Sequence, residues 1–172
     1  MVSKQRILGI DPGSRKAGFG LIESGRYHPA YVASGVIRVE KLSGSQRLKT
    51  IFESVCQLLD QYQPSIMAIE KVFVYKNPNS AIKLGQARGV IICAAALRDI
   101  PVMEYTPTQI KSTIVGQGHA NKDQIQYMVQ NLLKLTESPQ EDAADALAAA
   151  LCHDRYSSLG LDPEAMAKGT RF

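Results

Sequence analysis

The chain has 172 residues, a formal net charge of +4, 45% hydrophobic and 21% charged residues, which suits one globular domain with a substantial core. Its longest apolar run, Val90 to Leu97, is too short to cross a bilayer, and Cys56, Cys93 and Cys152 show neither disulfide-framework nor zinc-site spacing. The mild basic excess permits a polyanionic partner without requiring one.

The N-terminal stretch MVSKQRILGIDPGS contains no apolar signal segment, so a cytoplasmic protein is expected. The cysteines are expected to be small core residues on helices. His28, His119 and His153 have no metal-ligand spacing.

Arg6 to Asp11 reads as a strand buried on both faces and closed by an acid. Pro12-Gly13-Ser14 signals a turn. Ala17 to Glu23 and Tyr31 to Arg38 read as two further strands of an antiparallel meander. A helix follows, which Ser45 can cap, with Leu48, Ile51, Phe52, Val55, Leu58, Leu59 and Tyr62 at helical spacing. Ile66 to Glu70 is a second buried strand that ends in an acid, Asn79 to Arg98 a long helix, and Pro101 to Tyr105 a short strand.

Three helix starts come next. Thr106-Pro107-Thr108-Gln109, Asn121-Lys122-Asp123-Gln124 and Ser138-Pro139-Gln140-Glu141 each have capping-box spacing, and the last sets a helix start at Pro139. The order of elements predicts an α/β fold with a mixed sheet. Residues 1–158 read as a single domain, and 159–172 are expected to be a flexible tail.

The last helix, SPQEDAADALAAA, is apolar enough to be buried, yet it carries Asp142 and Asp145 three residues apart, which places them on neighbouring positions of one face. Taken alone they are ordinary acids near the positive end of a helix dipole. Asp11 and Glu70 change that reading. Each ends a buried strand, where the crevice of an open α/β sheet lies, and a carboxylate there is costly unless it reaches water or a cation. If the last helix borders that crevice, four carboxylates converge. Oxygen-only donors point to magnesium or manganese, and two such ions suit hydrolysis of a phosphodiester.

The motifs GIDPGSRKAGFG, IEKVF, KLGQARGV and SPQEDAADALA, in this order, strongly resemble the RuvC family of Holliday junction resolvases across about residues 6 to 155. The resemblance implies a ribonuclease H-like fold with a five-stranded mixed sheet flanked by helices. It implies a magnesium-dependent endonuclease of recombination and repair that resolves four-way DNA junctions by paired symmetric nicks. Manganese is expected to substitute, with two ions per active site. The family's catalytic acids fall on Asp11, Glu70, Asp142 and Asp145, its basic residues near the cut strand on Lys111 and Lys122, and its aromatic on Phe73. A homodimer and association with a branch-migration helicase complex are also implied.

Phe73 sits in EKVFVYK, where aromatics alternate with lysines; that combination stacks on an unpaired base while holding its phosphates, although a loop aromatic can equally fold back on the core. Lys111 and Lys122 lie near the starts of capped helices, where phosphate is favoured, although an exposed lysine is commonly just solvated. The helix from Asn79 has two apolar sides, one with Ala81, Leu84, Gly85, Ile92 and Ala95, the other with Ile82, Gly89, Val90, Cys93 and Leu97. One side can cover the sheet, and the resemblance makes the same helix of a second subunit the partner of the other. Leu84, Gly85, Gly89 and Cys93 are the interface candidates.

Two rival readings differ in class. Asp11-Pro12-Gly13-Ser14 also resembles the first phosphate loop of sugar kinases and actin-like ATPases, but such folds pair two domains and carry a second glycine-rich motif, for which 172 residues leave no room. A non-catalytic junction-binding module would have no use for four acids.

Overall fold

The computed structural model describes residues 5–25, 27–72 and 77–161. Its elements are β1 (Arg6–Asp11), β2 (Lys16–Glu23), β3 (Ala30–Arg38), α1 (Gly44–Tyr62), β4 (Ile66–Glu70), α2 (Pro78–Ala96), β5 (Val102–Tyr105), α3 (Pro107–Val115), α4 (Lys122–Leu132) and α5 (Glu141–Ser158). The expected mixed sheet is present, with strand order β3-β2-β1-β4-β5. β1, β2 and β3 pair antiparallel, while β4 and β5 join β1 in parallel. Among the described residues no helix is long and apolar enough to cross a membrane.

Strand periodicity sorts side chains onto two faces. Leu8, Ile10, Met67 and Ile69 point to one core, shared with Ile51, Val55 and Leu59 of α1 and with Ala87 and Ile91 of α2. Ile7, Ala68 and Tyr105 point to the other, shared with Leu147, Ala148 and Leu151 of α5 and with Ile125 and Val129 of α4. By the same alternation Asp11 and Glu70 project toward α5. Registering Ile10 against Ile69 brings the two strand ends level, so these acids are neighbours.

Glycines let α5 lie very close to the sheet. A Cβ on Gly9 would collide with the backbone carbonyl of Ala146, and one on Gly18 with the carbonyl of Asp142. Gly18 is also the register partner of Asp11. The alanines of α5 complete the fit: Ala143, Ala144, Ala146, Ala148, Ala149 and Ala150 are all buried. Larger side chains on either surface would hold the helix off.

Two of the three expected capping boxes form, Thr106 with Gln109 and Asn121 with Gln124. The third does not. α5 begins at Glu141, not Pro139, with Gln140 in the cap position and no side-chain cap. Competing partners explain the shift: Gln126 donates to the Pro139 carbonyl at 3.0 Å, and Arg38 donates to the Gln140 side chain at 3.2 Å. α1 starts at Gly44, so Ser45 is not its cap; Ser43 takes that position without a side-chain hydrogen bond.

α2 corrects the apolar-side reading. Its buried stripe is Ala87, Ile91, Ala94 and Ala95, of which the expected sides contained only Ala95. Gly85, Gly89 and Cys93 are exposed and Leu84 is half-buried. Cys93 is therefore not a core residue, whereas Cys152 is buried and Cys56 is intermediate. From residue 162 onward the expected tail lies outside the described residues, as does Phe73.

Gly18→Ala should destabilise the fold by about 1–3 kcal/mol, the usual cost of overpacking, because the added methyl meets backbone rather than a movable side chain. Urea unfolding measures this; an unchanged midpoint would mean that α5 does not sit directly on the glycines.

Candidate active site

A cavity of about 300 Å³ is lined by Asp11, Glu70, Pro107, Ile110, Lys111, Lys122, Ile125 and Asp145. β1 and β4 supply the two strand-end acids, α5 supplies Asp145, the second turn of α3 supplies Lys111, and the first residue of α4 is Lys122. Each lysine is placed by its helix's capping box, which fixes where the helix starts. Asp142 lies one turn before Asp145, half-buried over Gly18, and is not part of the lining. It still acts there through its charge, which raises the pKa of both Asp11 and Asp145.

Burial is the largest cause of each shift in this group. Asp11 is pushed up to about 8 by burial, then by the charges of Asp145, Glu70 and Asp142, against an opposing pull from Lys122. Glu70 rises to about 7 through burial and Asp145, with Lys111 and Lys122 pulling it down. Asp145 rises to about 6; burial leads, Lys122 opposes, and Glu141 and Asp142 add to the rise. Three carboxyls that would ordinarily ionise near pH 4 thus titrate around neutrality because they share a desolvated site.

Such a cluster can bind protons or a divalent cation. The donors are all oxygen, and among the described residues His and Cys take no part in the lining, which fits magnesium or manganese chemistry. No group of three or more of the described His, Cys, Asp and Glu side chains is arranged, as it stands, to hold one ion. The site therefore offers donors and charge rather than a closed coordination shell.

The sequence reading missed Glu141. Its carboxylate forms an ion pair with Lys122 at the rim of the cavity, and that pairing is the main reason the Lys122 pKa is raised. Counted only as the closing residue of a capping box, Glu141 gave no sign of this partner, which lies 19 positions away. A larger groove of about 710 Å³ lies between the start of β3 and the α4–α5 connection; Glu137 is the one carboxylate among its described lining residues. It offers no comparable chemistry. His119 is an exposed loop residue.

Comparison with known proteins adds independent information. Residues 7–153 match the family model for crossover junction endodeoxyribonuclease RuvC. The curated RuvC of Hydrogenovibrio crunogenus is 81% identical over 172 residues, covering 100% of both chains. That of a Shewanella species is 52% identical over 164 residues, covering 94% of this chain and 95% of the relative. Among solved structures, Thermus thermophilus RuvC in complex with Holliday junction substrate superposes with a TM-score of 0.85 at 33% identity, covering 91% of this chain and 96% of that one. The yeast mitochondrial Holliday junction resolvase Ydc2, at 14% identity and a TM-score of 0.55, shares the fold.

The raised carboxyls make stability depend on pH. A carboxyl whose folded pKa exceeds its unfolded value binds more protons in the native state, so stability falls as pH rises through the gap. For Asp11 the gap runs from 3.8 to about 8. With chelator present, Asp11→Asn should therefore melt higher than the parent at pH 8, by roughly 2–4 °C per kcal/mol relieved, and the difference should shrink toward pH 5. Parallel melting curves across that range would contradict the convergence of charge.

Proposed function

Because the chain belongs to the RuvC family of crossover junction endodeoxyribonucleases, we propose that Asp11, Glu70, Asp142 and Asp145 are its catalytic, metal-holding acids. The protein has the family's ribonuclease H-like fold. It is a structure-selective endonuclease that resolves four-way DNA junctions in recombination and repair, using divalent metal. The observation that supports this site most directly is the single cavity in which strand-end acids meet an α5 acid, flanked by two lysines.

Magnesium is the proposed ion, with manganese able to substitute and two ions per site. Bound there, such ions would stabilise charge developing on the attacking and leaving oxygens of the phosphodiester. The protein's own groups do the rest. Lys111 and Lys122 hold the negative backbone against the carboxylates and moderate their mutual repulsion. The Glu141 partner keeps the Lys122 ammonium at the rim. Buried Ile110 and Ile125, in the cavity wall, exclude water from one side of the site and strengthen every charge interaction inside it. Phe73 is proposed to stack on an unpaired base near the cut.

The proposed assembly is a homodimer, since a two-fold pair of sites matches the two equivalent strands of a junction. The outer face of α2 supports it. Ile82 is 60% exposed and Leu97 72%. A Cβ added at Gly85 or Gly89 would meet nothing within 4 Å among the described residues, so a second helix could approach closely there. Residues 1–158 form one nuclease domain in this reading, which works in the cytoplasm alongside a branch-migration helicase complex.

Asp11→Asn, Glu70→Gln, Asp142→Asn and Asp145→Asn should each lower junction cleavage by at least roughly 10²–10³-fold, as loss of one preorganised charge-stabilising group does, while junction affinity persists. A denaturing gel on a labelled four-way junction reads this out; near-normal nicking by any variant removes that residue from the site. Magnesium and manganese should support cutting and calcium only binding, so equal turnover in calcium would refute the ion assignment. For assembly, Cys93→Glu should give folded monomers that no longer make paired nicks. Sedimentation showing an undisturbed dimer would move the interface away from α2.

A further inference from the structure

A further pocket, of about 490 Å³, opens beside the β1–β2 turn and is lined in part by Ser14, Arg15, Glu40, Ser43, Arg47 and Lys83. Arg47, in the first turn of α1, is its most unusual member. Only 8% of this residue is exposed, and its Nε is buried without a hydrogen-bond partner. A buried guanidinium is costly unless an anion and hydrogen-bond acceptors meet it, and among the described residues Arg47 has no ion pair. Glu40, the one carboxylate in the lining, places its Oε1 3.6 Å from Nη1 of Arg38, and its Oε2 is buried without a hydrogen-bond partner among the described residues.

The surroundings favour an anion. Among the charged residues named in the lining, Arg15, Arg47 and Lys83 face a single carboxylate. The 19-residue helix α1 points its N-terminus into the pocket with no acid in its first turn and no side-chain cap from Ser43. α2 contributes Lys83 near its own N-terminus, also without an acid in the first turn. The α1 dipole therefore presents its positive end here. Arg15 and Lys83 are exposed at the rim, while Arg47 is the buried floor.

Position links this pocket to the nuclease site. Ser14 is three residues beyond Asp11, so their Cα atoms are at most about 11 Å apart at ~3.8 Å per residue. That is roughly the rise of three steps along one DNA strand at ~3.4 Å each.

We propose that this pocket binds one backbone phosphate of the substrate DNA, a few nucleotides from the cut bond, with Arg47 as the buried anchor and Arg15 and Lys83 as rim contacts. The proposal rests on the nuclease reading above and extends it with a second grip on the same strand. A guanidinium fork matches a phosphate's oxygens in two places at once, and the floor position makes that contact shape-selective rather than merely attractive. Lys111 and Lys122 hold the backbone at the cut, and this pocket sets the direction in which the strand leaves.

The test uses the full chain with calcium in place of magnesium and four-way junctions carrying one neutral methylphosphonate linkage at a time. The parent should lose about tenfold in affinity when the neutral linkage falls at one position within about three nucleotides of the cut, as expected for one charge-assisted contact. Arg47→Gln and Lys83→Ala should be insensitive at that linkage and keep the parent's sensitivity at the others. Their plots of log affinity against log salt should be flatter by about 0.9 for each phosphate no longer neutralised. If every variant keeps the parent's linkage profile and slope, the pocket does not bind phosphate. If Arg47→Gln melts early while Lys83→Ala and Arg15→Ala bind as the parent does, Arg47 is a structural residue and the proposal also fails. Cleavage in magnesium is scored separately: absence of cutting in the parent would sink the nuclease reading, while the binding profiles would still decide the pocket.

Discussion

The close seating of α5 on β1 and β2 is the constraint on which the rest depends. Gly9 and Gly18 have no side chain on the face where α5 crosses, and the helix answers with alanine at six buried positions. A helix pressed this close carries its polar residues with it. Asp142 is held over Gly18, which registers against Asp11, and Asp145 reaches the strand ends one turn on. The apolar character of α5 and its two aspartates, contradictory as helix composition, are two consequences of one packing solution. The alanines let the helix approach, and the aspartates are what the approach delivers.

That delivery costs stability. Three carboxyls titrate far above their usual range because water is excluded and like charges adjoin. The fold retains an arrangement that opposes it, and functional sites are where such conflicts are found. Lys111 and Lys122 offset part of the repulsion from the rim, and both are positioned by helix caps rather than by the sheet. The site is thus assembled from two independent sources: a rigid one, strands and α5, that gathers negative charge, and a peripheral one, α3 and α4, that brings positive charge to meet it.

Much of this was legible in the sequence because the signals were local. ILGID and IMAIE announce buried strands ending in acids, and both strands span the residues expected. Two capping boxes formed because their partners lie within one helical turn of each other. Other features depended on distant partners and left no local trace. The start of α5 moved because Gln126 and Arg38 engage Pro139 and Gln140. The buried stripe of α2 was misassigned because the helix is rich in small apolar residues all round, so composition did not distinguish the side packed on α1 and the sheet from the side left outside. The Glu141–Lys122 pair and the buried Arg47, whose Nε has no hydrogen-bond partner among the described residues, became visible only once separate elements were brought together. Asp11, Glu70 and Asp145 meet in one cavity, as two independent patterns, strand-terminal acids and helical spacing, had suggested, with Asp142 one helical turn away.

At the centre of the proposed mechanism, the acids hold protons that a divalent cation would displace. Calorimetric titration of manganese into the metal-free full chain at pH 7, repeated in two buffers of different ionisation enthalpy, measures that exchange directly. Binding should release protons, and Asp11→Asn should release markedly fewer, because Asp11 has the carboxyl with the highest pKa of the group. Binding with no proton release, or release unchanged in Asp11→Asn, would contradict the account.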